Sequence, residues 1–280
     1  NKITRVIRRE LSKNRNKLPK LYQALDEAMD CDRYREYGDL LFAYQSSLKR
    51  EPIVRLPSFE REEEVAIPID MRFDIARNAN RYYQKYHKQR RAQGILQEQI
   101  ALCEQTIAYF EQLESQVELA AVPDAMEIRE ELVKRGYMNA QKSGIRRRKG
   151  KQIPHFTVFD IEGTLVYLGK NNIQNEYLTR TLARKDDLWF HTKDLHGSHV
   201  ICTDPQPDER LLRICAMLAA YYSQGRFSSS VPVNYCPVRQ LKKVPGSAPG
   251  AVTMQHYRTI YMDPSQKEVT EIIRQYQKKA

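Results

Sequence analysis

Apolar and small residues recur at alternating three- and four-residue steps at the start of the chain: Thr4, Ile7, Leu11, Asn14, Leu18, Leu21, Leu25 and Ala28. This spacing predicts one helix over residues 1–30, with a heptad-like seam that is polar at Thr4 and Asn14. Pro19 lies inside the pattern and predicts a kink or local break. A second seam, Leu96, Ile100, Cys103, Ile107, Phe110 and Val117 with Glu114 filling one step, belongs to a helical stretch from about Ile75 to Leu119. Gly94 is its soft point. Between the two lies an insert over residues 31–74. Its first part, Cys31 to Leu48, reads as helix. Ile53–Leu56 and Val65–Ile69 read as short strands around a charged turn. A helix out, a small distal cap and a helix back describe a long antiparallel coiled-coil arm. A thirty-residue helix spans roughly 45 Å, so such an arm would project beyond a globular module. A compact bundle is the alternative; the length and charge of the return helix favour a solvated arm.

The pattern changes after the arm. Pro123 to Tyr137 predicts a short helix, opened by Pro123-Asp124 and closed by Gly136. A basic linker over residues 144–153 carries Arg146, Arg147, Arg148, Lys149 and Lys151. From about Pro154 short strands dominate. Phe156–Ile161 and Leu165–Leu168 flank a hairpin turn at Glu162-Gly163. Leu188–His191, His199–Cys202, Val231–Val238, Ala251–Tyr257 and Thr259–Met262 follow. Asp208–Ser223 is an amphipathic helix, and a terminal helix begins after Pro264. Many strands with few intervening helices predict a mostly antiparallel α+β domain. The expected organisation is therefore an arm over 1–143, a linker over 144–153 and a globular domain over 154–280.

Charge sharpens this division. The 280 residues carry a formal net charge of +11. Residues 1–143 hold 25 Lys+Arg against 23 Asp+Glu, and residues 144–280 hold 21 against 12, so +9 of the excess follows position 143. A localised excess of this kind suits a polyanion such as RNA, DNA, an acidic glycan or a membrane surface, with a general solubility bias as the alternative. The five cysteines are dispersed and contain no C-x-x-C pair, which fits a reducing compartment better than a disulfide scaffold. No apolar run reaches transmembrane length.

Candidate chemistry is sparse. Gly169-Lys170 lacks the earlier glycine and following Ser or Thr of a phosphate loop. His191, His196 and His199 do not have zinc-ligand spacing. Ser198 is not on a nucleophile elbow. Asp186-Asp187 would point to opposite faces of a strand. Neither a metal, a cofactor nor catalysis by this chain is expected. What remains is basic and rich in amides: Lys170, Asn171, Asn172, Gln174, Asn175, Arg180, Arg184, Lys185, Lys193, Arg226, Lys242 and Lys243. Amides in a row are costly to bury unless each is hydrogen-bonded, so the row is expected on a loop or exposed rim. There, cations can pair with phosphates and amides can reach sugars and base edges. Tyr177 and Trp189 are candidate stacking residues, with core burial the alternative for Trp189. The RNA-facing set expected from the residues is Lys170, Asn171, Asn172, Arg184, Lys185, Lys193, Lys242 and Lys243, aided by Arg146–Lys151.

The same stretch resembles a known family. Gly169-Lys170-Asn171-Asn172, Gln174-Asn175, Tyr177-Leu178-Thr179, Ala183, Asp187, Trp189, His191-Thr192-Lys193-Asp194 and Gly197-Ser198-His199-Val200 resemble the NFACT-R domain of NFACT proteins, specifically the bacterial RqcH type. Ala219-Ala220-Tyr221-Tyr222-Ser223 and Val231-Pro232-Val233 continue the likeness. Tyr167 and His196 depart from it, at places where the family commonly has an aliphatic residue and a proline. The likeness extends more loosely back to Asn1. It implies the C-terminal half of such a protein, without the NFACT-N and helix-hairpin-helix regions.

The resemblance implies two functions. The first is ribosome-associated quality control in the cytoplasm, where RqcH-like proteins bind obstructed large ribosomal subunits and support template-free alanine tailing. This chain would supply reach and RNA grip. The second is an anchorless adhesin, as streptococcal members are called fibronectin/fibrinogen-binding proteins. It would place the protein at the cell surface by non-conventional export, with fibronectin and fibrinogen as partners and no binding site legible in the sequence. Both could hold for one protein.

Overall fold

The computed structural model describes residues 2–140 and 153–278. The basic run Arg146–Lys151 lies outside the described residues. The chain divides into two compact units, a helical unit over residues 12–107 and a sheet unit comprising residues 1–11 and 108–280.

In the helical unit, α1 (Lys2–Met29) and α3 (Ile75–Leu119) run antiparallel, since Asn14 meets Cys103 while the Gln93 amide donates to the Ala28 carbonyl at 2.7 Å. Their seam buries Leu21, Ile100 and Cys103, with Leu18, Leu25, Leu96 and Ile107 packed against them, as the heptad-like spacing predicts. Pro19 does not break α1; the helix is continuous through it. The cap between the helices consists of α2 (Asp32–Ala43) and a hairpin of β1 (Ile53–Pro57) and β2 (Glu64–Pro68). Each strand alternates exposed and buried positions, so Val54, Leu56, Val65 and Ile67 face Leu40, Leu41, Ala79 and Tyr82. Asn78 ties the cap to the start of α3. Its side chain accepts from the Asp70 N–H at 2.9 Å and donates to the Asp70, Phe73 and Asp74 carbonyls.

In the sheet unit, α4 (Val122–Lys134) precedes six strands: β3 (Thr157–Ile161), β4 (Thr164–Gly169), β5 (Leu188–Thr192), β6 (His199–Cys202), β7 (Val231–Pro237) and β10 (Arg258–Met262). They form one antiparallel sheet in the order β10-β7-β5-β6-β4-β3. Alternation sends Leu188, Phe190, Val200 and Cys202 to one face, against α6 (Glu209–Tyr221) and α7 (Gln266–Tyr276). Trp189, Ile201 and Cys236 go to the other face. There they meet Leu178 and a small hairpin of β8 (Leu241–Lys243) and β9 (Val252–Met254). The α+β architecture is therefore the one expected from strand spacing, with two differences. β8 has no counterpart in the hydrophobic pattern, and the strand expected over Ala251–Tyr257 shortens to β9 because the chain turns at His256, whose φ is 48°. The outer edge of β3 is covered by the C-terminal segment, where the Lys278 N–H donates to the Val158 carbonyl at 2.9 Å.

Candidate nucleic-acid interface

The amide row is the first correction. Residues 171–175 are neither a loop nor a rim. They start α5 (Asn172–Tyr177), which continues as a π-helical turn over Leu178–Leu182. Asn171, Asn172 and Gln174 are fully buried and Asn175 nearly so. The physical reason is a matched network. Asn171 caps α5, its Oδ1 accepting from the Gln174 N–H at 2.9 Å. Gln174 Nε2 donates to Asp124 Oδ1 and Glu127 Oε2, both at 2.7 Å, and its Oε1 accepts from the Lys170 N–H at 2.8 Å. Asn171 Nδ2 donates to Glu127 at 2.8 Å. Asn172 accepts from Gln116 at 2.9 Å and donates to Glu131 at 3.1 Å, while the Tyr109 hydroxyl donates to the same carboxylate oxygen at 2.9 Å. Asn175 Oδ1 accepts from the His199 N–H at 3.1 Å. A side chain at Gly169 would stand 2.5 Å from that Oδ1, which accounts for glycine there. The row therefore fastens α5 to α4, to the end of α3 and to β6. Asn171 and Asn172 are withdrawn from the RNA-facing set, because they have no surface to offer.

Two carboxyls near the row shift in opposite directions. Burial pushes the Glu131 carboxyl up, against the hydrogen bonds from Asn172 and Tyr109 that favour its charged form. Glu176 ends lower than usual. Burial raises it, but donors from the Gly250 N–H at 2.6 Å, Arg180 at 3.0 Å and Lys243 at 3.3 Å together outweigh that.

Trp189 lies in the core, as its alternative reading allowed. Its ring stacks on His191 at 5.6 Å and meets His199 edge-on at 5.2 Å. Burial holds His191 down to about 4 and His199 well below its ordinary value. Tyr177 is partly buried and stacked on Phe156, so neither aromatic is free to take a base. Among the described residues no three His, Cys, Asp or Glu side chains group as metal ligands.

The cations of the predicted set do not form one surface. Arg184 and Lys185 precede β5, and the Arg239 N–H donates to the Lys185 carbonyl at 3.0 Å. Arg239 lies in the turn that leads from β7 into β8, which carries Lys242 and Lys243. These cations share the end of the sheet where β5 begins and β7 ends. Glu176 takes Arg180 and Lys243, and Asp186 takes Arg239. Among the described residues Arg184, Lys185 and Lys242 are exposed and have no such ion pair. Lys193 and Lys170 lie at the other end. Lys193 follows β5, and Lys170 is half-buried with its ammonium 5.3 Å from the Tyr222 ring.

A second cationic surface, in the helical unit, escaped the regional charge count. Between Ile75 and Gln97 the chain has Arg77, Arg81, Lys85, Lys88, Arg90 and Arg91 and no acid; from Glu98 to Leu119 it has five acids and no Lys or Arg. The two halves cancel in a regional sum. All six cations are exposed, and Arg77, Arg81, Lys85 and Lys88 share one helix face. Aromatics lie among them. Arg72, Arg77 and Arg81 fan around Phe73 at 5.6, 4.4 and 4.6 Å, Lys85 lies 5.5 Å from Tyr34, and Arg35 lies 6.0 Å from Tyr86. Only partial neutralisation is present: Asp70 pairs with Arg72 at 2.7 Å and approaches Arg81 at 3.9 Å. Like charges at i, i+4 each cost a few tenths of a kcal/mol (~0.2–0.5), and Arg77, in the first turn of α3, opposes the helix dipole. The arrangement does not serve the helix itself. A window of about twenty residues would have exposed it in the sequence.

An antiparallel helical arm with a cap, together with an antiparallel α+β domain, defines the NFACT architecture, and the comparisons agree. The model for the NFACT N-terminal and middle domains matches residues 1–152, and that for the NFACT protein RNA binding domain matches residues 154–256. The chain belongs to the NFACT family. It is 36% identical over 277 residues to the Rqc2 homolog RqcH of Bacillus subtilis, covering 96% of this chain and 48% of that protein. With the Rqc2 homolog RqcH of Streptococcus pneumoniae serotype 2 it shares 34% identity over 274 residues, 96% of this chain and 49% of the relative. The chain thus spans about half the length of these relatives. Its fold matches the solved C-terminal part of the fibronectin/fibrinogen-binding protein of Streptococcus suis with a TM-score of 0.71 and 30% identity, over 97% of this chain and 96% of that one.

Proposed function

We propose that this chain is the ribosome- and RNA-gripping part of an RqcH-like quality-control factor working in the cytoplasm. It binds obstructed large ribosomal subunits and positions the protein for alanine tailing of the stalled chain, performing no bond chemistry itself. The observation that carries this reading is the exposed cation set on α3, which costs the helix stability and has too few acids nearby to neutralise it. Arg184, Lys185, Lys242 and Lys243 form the second contact surface, with Lys170 and Lys193 at the opposite end of β5. Both surfaces present cations to phosphate, so binding should be strongly salt-dependent. Co-sedimentation with isolated large subunits tests this. The chain should pellet with them at about 50 mM salt and be released by about 200 mM. Failure to pellet at low salt would contradict the reading.

The solved structural relative supports a second reading, an anchorless surface protein that binds fibronectin and fibrinogen. β10 is an edge strand whose outer side carries no strand of this sheet, the geometry that strand addition needs. Immobilised fibronectin should then capture the chain, and substitution of Thr259 by Pro, which blocks edge pairing, should abolish capture. Capture unchanged by that substitution would remove β10 from the contact.

A further inference from the structure

Phe227 has 93% of its surface exposed, the highest value among the large apolar side chains of the described residues. It lies in the connection from α6 to β7, and that connection is tied down. Ser223 Oγ donates to the Ala220 carbonyl at 2.7 Å and accepts from the Gly225 N–H at 3.0 Å. The Arg226 N–H donates to the Ser223 carbonyl at 3.2 Å and the Ser228 N–H to the Gly225 carbonyl at 2.9 Å. The Ser230 N–H donates to Asp263 at 2.7 Å. A side chain at Gly225 would stand 2.9 Å from Val231, so the turn is also packed from beneath. The aromatic ring is held out by a built turn.

Its surroundings are polar. Its chain neighbours Gln224, Ser228, Ser229 and Ser230 are polar and exposed. Arg226 adjoins it, with the guanidinium 5.3 Å from the Phe227 ring and 4.3 Å from the Tyr221 ring. Lys193, exposed, lies at the same end of the sheet, where its N–H donates to the Pro232 carbonyl at 2.8 Å in the strand this connection feeds. A protein or membrane contact would want neighbouring apolar area. A lone ring beside a guanidinium suits a different ligand, one with a flat π-face and flanking negative charge.

We propose that Phe227 is a stacking platform for an unpaired base of single-stranded RNA, with Arg226 and Lys193 taking the adjacent phosphates. This rests on the RNA-binding reading above and adds to it the class of RNA that this end of the sheet unit selects. Base-on-aromatic stacking requires an unstacked nucleotide, so it discriminates against duplex.

The test compares the full chain with Phe227→Ala and Phe227→Trp, using an unstructured oligonucleotide of about twelve nucleotides and a duplex RNA of equal length. Phe227 touches no core, so both variants should unfold at the wild-type denaturant midpoint. Phe227→Ala should bind the single strand about tenfold more weakly, with the same salt slope and unchanged duplex affinity. Phe227→Trp should restore binding and report it, its indole emission being quenched by the single strand and unaffected by duplex. Equal losses on single strand and duplex, or no loss on either, would overturn the platform and leave RNA binding standing. No wild-type binding to either RNA would overturn both.

Discussion

The amides of α5 and the cations of α3 are comparably polar as sequence, yet Asn171, Asn172 and Gln174 are fully buried while Arg77, Arg81, Lys85 and Lys88 are exposed. The difference lies in what each group needs. An amide is neutral and short, and fixed partners can satisfy it. Gln174 meets two carboxylates and a backbone N–H, and Asn172 bridges Gln116 to Glu131. An ammonium or guanidinium on a long stem loses more on burial and keeps its head in water. Polar composition therefore marks two opposite things: an interior clamp where the groups are amides facing acids, and a solvated face where they are cations with few acids nearby.

The largest effect is expected at the clamp. Gln174→Ala removes two hydrogen bonds to carboxylates and leaves the Lys170 N–H without its acceptor. It should cost about 3–4 kcal/mol, since bonds to charged groups contribute ~1.5–3 each. Urea unfolding measures this, and a loss below ~1 kcal/mol would mean that the clamp does not hold the unit together. Replacing Lys85, Lys88 and Arg91 together by Gln tests the opposite region. Stability should change by less than ~0.5 kcal/mol, while RNA affinity at moderate salt falls about 10- to 100-fold and the salt slope drops by two to three. A large stability loss with unchanged RNA affinity would invert the comparison.

Two smaller effects concern pH. His191 is held at about 4 and His199 well below its ordinary value by burial, so the unfolded chain binds their protons first. Their contribution is complete above about pH 6.5 and is lost as pH falls, for His191 toward about 4, at no more than ~1.4 kcal/mol per pH unit for each. His191→Gln should make acid unfolding shallower over that window; an unchanged acid limb would show that burial does not govern this ring. Glu131 has the opposite sign. Its folded-state pKa is raised by burial, so its contribution is complete below the ordinary carboxylate range and fades as pH rises through the raised value. Glu131→Gln should flatten that part of the profile while keeping the local hydrogen bonds, because Gln can still accept from Tyr109 and Asn172. A steeper profile in the variant would contradict the assignment.

Much of the fold was legible because it follows periodicity. The Leu18–Leu25 seam, the alternating Val54, Leu56, Val65 and Ile67, and the Leu188–Phe190 alternation each state their own partner face. α5 was not legible. Asn171 to Asn175 lack an apolar period, and their acidic partners Asp124, Glu127 and Glu131 lie 41 to 50 positions away in the chain. Only the fold brings amide and acid together. The candidate interface was half legible. Arg184, Lys185, Lys242 and Lys243 stand out in a basic domain and meet at one end of the sheet. The α3 cations were hidden by the acids that follow them in the same helix.

The central claim is that exposed cations, in both units, carry RNA binding. Its most direct test is the salt dependence of affinity for isolated large ribosomal subunits. Wild type should be compared with a variant carrying Lys85, Lys88 and Arg91→Gln together with Lys242 and Lys243→Ala. If each touches phosphate, the log–log slope should shrink by about 3.5 to 4.5, at ~0.7–0.9 per contact, with the fold intact. An unchanged slope and affinity in that variant would contradict the account.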